Sequence, residues 1–507
     1  MQRNLIRAFF VGTAFMLCMG QRAQAQPTPA PTATPPPVTY SGYLRSFYFT
    51  RQNASGYTKP FTAFNQAAFN TAVSIHAAYA FAPNWSIGGT YLYADPLNNC
   101  ADPKSHVDTL SPCYRSRTFV NATGGTNPDD TLPDFRLSTL YEAYVQYKDP
   151  TLYLKLGDQV INTPWANASD SRLKPVAFQG GDVSYNFSSK WTGELMYMAR
   201  FEDRASSDFT NTTLLTETTL PSANYGGAEP DVIATPFTAI TNSGFGYARL
   251  GYASGAFVAN LHYYMFADIA NAFWGDAKYT WKSYAKPFIA LQGGSETNTG
   301  SAIIGKINSQ IVGIQGGISP WNNVDLTIGY DYIPQKSDTI TLPTGTTCGS
   351  NNQIKGLLPY FLPGGGTTNC FNNPNGTTNV YYGGWASPYT DSYATDILFN
   401  TMISQGMVDR RSPGQGVKIS GTFYTFEKRV RLIVAHAWWD YGNGTSGVSP
   451  TQETDIDGTY YFNKVGKGAY HGFSLRHRYA ERVQAFTSAF GGAPLFKYNR
   501  TQLEYDF

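Results

Sequence analysis

Segments in which apolar and polar residues alternate recur along most of the chain. In the segment NTAVSIHAAYAF (residues 70–81), one face carries Val73, Ile75, Ala77 and Tyr79. Because successive side chains of a β-strand point to opposite faces of a sheet, this period of two predicts a strand with one apolar face. Similar segments, separated by turn residues, continue to the end of the sequence. They predict an even number of strands, about 16 or 18, with 18 favoured.

The connections between these segments alternate between short and long. Turns such as APN and KDP are short, whereas residues 94–137 and 334–390 form long connections. This asymmetry is typical of bacterial outer-membrane barrels, which have short periplasmic turns and long external loops. The sequence therefore predicts an all-β protein, a transmembrane antiparallel β-barrel. A soluble β-propeller, the alternative, would require a repeat of roughly 40–50 residues, which the sequence does not contain.

The last ten residues, YNRTQLEYDF, form one such alternating segment. One face carries Leu503, Tyr505 and Phe507, and the other carries charged or amide side chains. An open strand of this kind would expose unpaired backbone groups, which closure of a barrel removes. We therefore expect the last strand to pair with the first, with Phe507 on the lipid side. Phe507 is also the expected signal for the machinery that assembles barrels in the outer membrane.

The N-terminal residues predict export from the cytoplasm. Arg3 and Arg7 flank a mostly apolar run over residues 8–20 that leads to the sequence AQA, a pattern typical of a secretory signal peptide. We expect cleavage after Ala25. Residues 26–38 are rich in proline, which cannot donate to a strand ladder, and are expected to form an extended periplasmic tether. The predicted organisation is a signal peptide over 1–25, the tether over 26–38 and the barrel over 39–507, integral to the outer membrane.

The composition fits a surface that faces lipid. Charged residues make up 14% of the chain, against about 25% in typical soluble proteins, while tyrosines and phenylalanines number 36 and 32. Loss of the predicted signal peptide removes three of the 37 basic residues, which leaves 34 against 35 acidic residues. Nucleic acid is therefore not an expected partner. Outer-membrane lipids are, and an oligomer of several copies is left open.

Four cysteines remain in the mature sequence, and they fall into two local pairs. Cys100 and Cys113 enclose one segment rich in small and polar residues, and Cys348 and Cys370 enclose another. In an exported protein such pairs are expected to form disulfides that staple loops. Free thiols are the alternative. Metal binding is not indicated, because the sequence lacks Cys-x2-Cys spacing and attendant histidines.

Charges at strand positions that face the inside of a barrel are the candidate functional residues. Five arginines occupy such positions on the first strand and the last two strands: Arg45, Arg51, Arg476, Arg478 and Arg500. Since the first and last strands adjoin in a closed barrel, these arginines would line one wall and bind carboxylates in succession. The alternative is that each arginine pairs with an inward acid such as Glu504 or Glu142.

Four segments resemble the OprD-type porins, the substrate-specific channels of Gram-negative outer membranes. They are YLRSFYFTRQN in the first strand, LKLGDQVINTPWANASDSRLKP at residues 154–175, SYATDILFNTMISQGMVDRRSPGQGVKISGTFYTF at residues 392–426, and GFSLRHRY with the final strand. The resemblance implies an 18-stranded barrel, in which the second segment is the constriction loop that folds inward and narrows the pore. The proline-rich segment and the long connection at residues 341–390 depart from the family pattern.

The resemblance also implies roles for individual residues. It extends the ladder of arginines by Arg172 of the constriction loop and places a carboxylate, Asp396, near the narrowest point. The alternative role of Asp396 is a helix N-cap or a hydrogen bond within a loop. The predicted function is passive, partly selective diffusion of small carboxylate-bearing solutes, such as amino acids, organic acids and small peptides.

Three other classes of barrel are alternatives to this function: a general diffusion porin without selectivity, a structural barrel and a barrel enzyme. Six histidines are scattered along the sequence, which contains no Gly-x-Ser-x-Gly, no His-Glu-x-x-His and no glycine-rich phosphate loop. We therefore predict no enzymatic activity, and accordingly no catalytic residues, metal or cofactor.

Overall fold

The fold is taken from a computed structural model of the chain. It describes residues 38–54, 65–97, 118–120, 126–128, 136–168, 172–204, 206–216, 239–303, 307–341, 377–383, 385–389, 414–441, 448–462, 472–486 and 495–507. The predicted signal peptide, residues 26–37 of the predicted tether, all four loop cysteines and Asp396 lie outside these residues. Of Arg51 only the backbone is described. No helix in the described ranges is long and apolar enough to cross a membrane.

Eighteen strands form one closed antiparallel sheet, which confirms the predicted barrel. In chain order they are Thr39–Ala54, Asn65–Ala82, Trp85–Pro96, Leu137–Lys148, Leu152–Gln159, Ala177–Asn186, Trp191–Glu202, Phe245–Ser254, Phe257–Phe266, Ala270–Thr280, Phe288–Asn298, Asn308–Trp321, Val324–Ile333, Gly414–Thr425, Val430–Tyr441, Val448–Tyr461, Gly472–Phe486 and Leu495–Asp506. Each strand pairs with its neighbours in the chain, and the first strand also pairs with the last. We number the barrel strands one to eighteen in this order.

In the part of the chain that the structure describes, eight short strands lie outside the barrel sheet and pair among themselves. They are Thr118–Val120 with Thr126–Pro128, Asn162–Thr163 with Ala166–Asn167, Thr212–Thr216 with Ala239–Thr241, and Lys336–Thr341 with Thr377–Tyr382. All four pairs belong to connections at one end of the barrel, which include residues 97–136 and 334–413. At the other end the connections are short, such as residues 83–84, 255–256 and 322–323. This is the asymmetry predicted from the sequence.

The two faces of the strands differ as the alternation predicted. On the second strand, Ile75 and Tyr79 are exposed on the outside, whereas Asn70, Ala72 and Ser74 are buried inside. Outward aromatic rings also meet between neighbouring strands close to the short connections, as in the pairs Trp85–Tyr147, Trp191–Tyr252 and Phe473–Tyr505. Apolar outer faces with aromatic rings near their ends are typical of barrels in lipid.

Two barrel strands gave no clear pattern in the sequence, Ala270–Thr280 and Phe288–Asn298. Their outward positions include Gly275 and Gly293, which carry no side chain. In the strand Ala270–Thr280, the large apolar residue Trp274 is buried on the inner face. Alternation of apolar and polar residues therefore fades in both. Their addition brings the strand count to the favoured value of 18.

The first and last strands close the barrel along a long seam. Their register runs from the pair Tyr43–Asp506 to the pair Ala54–Leu495. Beyond it, the amide and carbonyl of Phe507 exchange hydrogen bonds of 3.0 and 2.9 Å with those of Gly42. The Phe507 ring lies outside, beside Tyr505, and covers Gly42 so closely that a Cβ there would lie 2.8 Å from its Cζ atom.

Deletion of Phe507 should lower the amount of assembled barrel several-fold, because it removes two seam hydrogen bonds and the outward ring that covers Gly42. Unboiled barrel should migrate faster than boiled protein on a denaturing gel, so the fast-migrating fraction in membranes measures assembly. Deletion of residues 27–37, which precede the first strand in the sequence, is the control and should leave this fraction unchanged. Equal assembly of the two deletion variants would contradict the role of Phe507 as an assembly signal.

Candidate solute pathway

The arginines predicted from the strand pattern lie on three adjacent strands. Arg45 on the first strand pairs with Glu504 on the eighteenth, and Arg478 on the seventeenth pairs with Arg500 on the eighteenth. All four side chains are on the inner face, as is that of Arg476. The backbone of Arg51 also lies on the first strand, opposite Tyr498. The structure therefore brings Arg45, Arg476, Arg478 and Arg500 together on one wall.

Acidic side chains accompany the arginines on this wall. Arg45 forms an ion pair with Glu504 across the seam. Asp457, on the sixteenth strand, accepts hydrogen bonds from Nε of both Arg476 and Arg478 at 2.8 and 3.1 Å. The alternative to the ladder, in which each arginine pairs with an inward acid, therefore describes part of what Arg45, Arg476 and Arg478 do.

The two arginines that share Asp457 are more accessible than the acid. The side chains of Arg476 and Arg478 are 22% and 14% exposed, whereas that of Asp457 is 4% exposed. A solute inside the barrel would therefore meet guanidinium groups before it met the carboxylate. Glu142, the other suggested acidic partner, pairs instead with Lys155 at 3.3 Å.

Inward aromatic rings of the first strand lie against three arginines. The guanidinium carbon of Arg45 is 4.2 Å from the ring centre of Tyr43, and that of Arg500 is 4.3 Å from Phe47. These contacts cover one face of each guanidinium group with an aromatic ring, an arrangement that is attractive and leaves the edges available. Arg500 uses one edge to donate a hydrogen bond of 2.8 Å to Oε1 of Gln502.

Arg172 comes to the same wall from the connection between the fifth and sixth strands. Its guanidinium carbon lies 5.1 Å from the ring centre of Phe49, the next inward position after Phe47 on the first strand. The side chain is only 1% exposed, and none of its three guanidinium nitrogens has a hydrogen-bond partner among the described residues. The resemblance in the sequence identified this residue, whereas the strand pattern could not, because Arg172 is not on a strand.

A large apolar cluster occupies the opposite part of the interior. Trp165, from the same connection as Arg172, stacks on Trp385 at 4.8 Å and meets Trp274 of the tenth strand edge-on at 5.0 Å. Trp385 belongs to the connection between the thirteenth and fourteenth strands. All three indoles are buried, in a cluster whose other members lie mainly on the sixth to thirteenth strands.

The two inward connections are also joined by their backbones. Ala166 forms an isolated parallel bridge with Tyr389, whose hydroxyl donates a hydrogen bond to Asn242, and burial raises the pKa of Tyr389. The amide of Ala386 donates to Oε2 of Glu296 at 2.6 Å on the eleventh strand. The interior thus has a wall rich in arginine on one side and an aromatic plug, defined by Trp165, Trp274 and Trp385, on the other.

Neither Asp457 nor the aromatic plug was predicted from the sequence. Asp457 had a detectable signal, because Glu453, Asp455 and Asp457 alternate with other residues and share one face of a strand. Trp165 and Trp385 had none, since both lie in irregular connections. Arg51, Asp396 and the two cysteine pairs stay predictions, because their side chains lie outside the part of the chain that is described.

Comparison with known proteins finds similarity in structure only. No protein-family model matches the chain, and no curated protein matches its sequence. Solved structures match along most of its length. OccAB3 of Acinetobacter baumannii has a TM-score of 0.62 at 14% identity and covers 93% of this chain and 99% of its own. OpdK of Pseudomonas aeruginosa, solved with vanillate, has a TM-score of 0.58 at 12% identity over 93% and 98% of the two chains.

These matches define the class of fold. OccK3 (OpdO) of Pseudomonas aeruginosa, at a TM-score of 0.58 and 13% identity over 93% of this chain and 95% of its own, belongs to the same group. The chain has the fold of the OprD-type porins, a closed antiparallel barrel of 18 strands. The resemblance inferred from the four sequence segments is confirmed at the level of the fold.

Proposed function

We propose that the protein is an outer-membrane porin through which small carboxylate-bearing solutes diffuse along the arginine wall. The observation that supports this most directly is the buried guanidinium group of Arg172, which has no hydrogen-bond partner among the described residues. A buried cation is costly unless an opposite charge and hydrogen bonds compensate it. A planar carboxylate fits a guanidinium group in bidentate geometry and would supply both.

The arrangement of the other arginines supports movement as well as binding. Arg45, Arg476 and Arg478 each have an acidic neighbour, so a passing carboxylate would compete with a resident acid at each step. Such competition weakens each site, and conduction requires sites that attract a solute and then release it. The proposed pathway therefore runs along the wall, with the strongest single site at Arg172.

Several neighbours and partners are part of this proposal. The outward apolar faces would contact outer-membrane lipid, and the barrel assembly machinery would insert the chain through its last strand. One similar structure, OpdK, was solved with vanillate, which is itself a small carboxylate. The fold-level similarity to porins favours a channel over an enzyme.

Replacing Arg172 with alanine should reduce uptake of carboxylates relative to neutral solutes of similar size, while uptake of the neutral solutes stays equal or rises. A loss of one bidentate contact of about 1.5–3 kcal/mol corresponds to roughly ten- to a hundredfold weaker binding at that site. Swelling of liposomes that contain the purified protein, with matched neutral, anionic and zwitterionic solutes, measures this ratio.

The matched control for this experiment is Arg136→Ala, which removes an exposed arginine paired with Asp95. Its ratio of carboxylate to neutral uptake should equal that of the wild type. If uptake follows solute size alone in both the wild type and the Arg172 variant, the protein is a general diffusion porin and the proposal is wrong. Hydrolysis of a test solute by the purified barrel would instead indicate an enzyme.

A further inference from the structure

The residues 172–174 are held to the barrel wall at three successive positions. The carbonyl oxygen of Arg172 accepts a hydrogen bond from Nη1 of Arg45. The carbonyl oxygen of Leu173 accepts one from the hydroxyl of Tyr43 at 2.5 Å. The Leu173 side chain is buried in a small apolar cluster that includes Phe47 and Phe49. Backbone and side chain are thus both fixed against the first strand.

Lys174 provides the third attachment through a fully buried ion pair. Its ammonium group lies 2.9 Å from Oε1 of Glu202, and both side chains are 0% exposed. The same ammonium donates to the carbonyl oxygen of Asp203 at 2.6 Å, and Thr139 donates to Oε1 of Glu202 at 2.9 Å. This pair connects the constriction loop to the fourth and seventh strands.

The charge of Lys174 depends on its acidic partner. Burial lowers the pKa of Lys174 because the ammonium ion loses its hydration, and the carboxylate of Glu202 acts in the opposite direction by favouring the charged form. Removing one member of a buried pair leaves the other as an uncompensated buried charge, which is strongly destabilising for the local structure. Replacing both members with apolar residues is often neutral.

Arg172 contrasts with the residues around it. Its backbone and its two successors are fixed by Arg45, Tyr43 and Glu202. Its guanidinium group, by contrast, makes a cation–π contact with the Phe49 ring and has no hydrogen bond within the described residues. All these attachments lie next to the guanidinium group that the proposed function makes the strongest carboxylate site. Such an arrangement fixes the guanidinium group in place without using its own hydrogen-bond donors.

We propose that Lys174 and Glu202 are positioning residues, and that this buried pair sets the place of Arg172 in the pore without touching the solute. This inference rests on the proposed function, because the pair would influence selectivity only through Arg172. With the pair broken, the loop would leave its place, and the guanidinium group of Arg172 would no longer be held at a fixed point beside the arginine wall. Selectivity for anions would fall although Arg172 is still present.

The test compares Glu202→Gln, Lys174→Met and the double variant Lys174→Met/Glu202→Leu with the wild type and Arg172→Ala. Single-channel recordings of each purified barrel in a salt gradient give the anion-to-cation permeability ratio and the noise of the open channel. Each single variant should lose about half or more of the selectivity that Arg172→Ala loses, with more noise. The double variant should recover most of the lost selectivity, since an apolar pair can fill the same space.

The outcomes separate this inference from the proposed function. Single variants with wild-type selectivity and wild-type noise would overturn the positioning role. A double variant as unselective as the single ones would also overturn it, because the two charges would then act on the solute themselves. An unchanged permeability ratio in Arg172→Ala would instead overturn the proposed function, while the noise of Glu202→Gln would still report whether the pair holds the loop. Faster gel migration without boiling confirms that every variant is a closed barrel.

Discussion

Replacing Trp385 with alanine should raise the single-channel conductance at least about twofold and make the open current unsteady. Trp385 is fully buried and stacks on Trp165, so its removal takes away an aromatic contact between the two inward connections. Truncation of a buried aromatic side chain costs about 3–5 kcal/mol. The barrel strands have their own complete pairing, so this cost falls on the aromatic plug and widens the lumen.

The matched control for this prediction is Trp438→Ala. Trp438 is on the fifteenth strand, faces outward and is 38% exposed, so its removal changes the lipid-facing surface and leaves the interior intact. Recordings in planar bilayers should show wild-type conductance for the control and raised conductance for Trp385→Ala. Equal conductance in the two variants would mean that the plug does not limit the pore.

Replacing Asp457 with asparagine should make the channel more selective for anions, by about three- to tenfold in permeability ratio. Asp457 binds both Arg476 and Arg478, and its removal leaves two accessible guanidinium groups without their shared carboxylate. An interaction of roughly 1 kcal/mol with a passing anion corresponds to a factor of about five. The reversal potential in a potassium chloride gradient measures the change.

A second acid paired with an arginine provides the comparison for Asp457. Asp95 pairs with the exposed Arg136 at 3.0 Å, beside Tyr93 on the outward face of the third strand. Asp95→Asn changes the charge of the protein by the same amount, and its reversal potential should remain that of the wild type. A similar shift in both variants would point to the total charge of the protein and would remove Arg476 and Arg478 from the pathway.

The fold followed from the sequence because the membrane imposes one simple rule on every strand. Outward residues must be apolar, so segments such as residues 70–81 show the period of two without any knowledge of their partners. The rule gives no signal where the outward residues are small, as at Gly275 and Gly293. Those two strands are specified by pairing with well-marked neighbours, which is a property of the sheet and does not show in a local segment.

Only part of the arginine wall could be predicted from the strand pattern. Arg45, Arg476, Arg478 and Arg500 follow from strand positions, because the closing pair of strands is known once a barrel is assumed. Arg172 required the resemblance to a known family. Lys174, Glu202 and the aromatic plug depend on contacts between irregular connections and distant strands, and no period in the sequence encodes such contacts.

The position of the seam gives the order in which this wall is built. Arg45 and Glu504 are separated by most of the chain, and they meet only when the first and eighteenth strands pair. Arg500 reaches the ring of Phe47 in the same step. An incompletely inserted intermediate, however many hairpins it contains, therefore lacks the cross-seam ion pair and has its arginines on two separate edges. On the proposed function, the part of the selectivity that the cross-seam arginines provide is therefore acquired last, together with closure of the barrel.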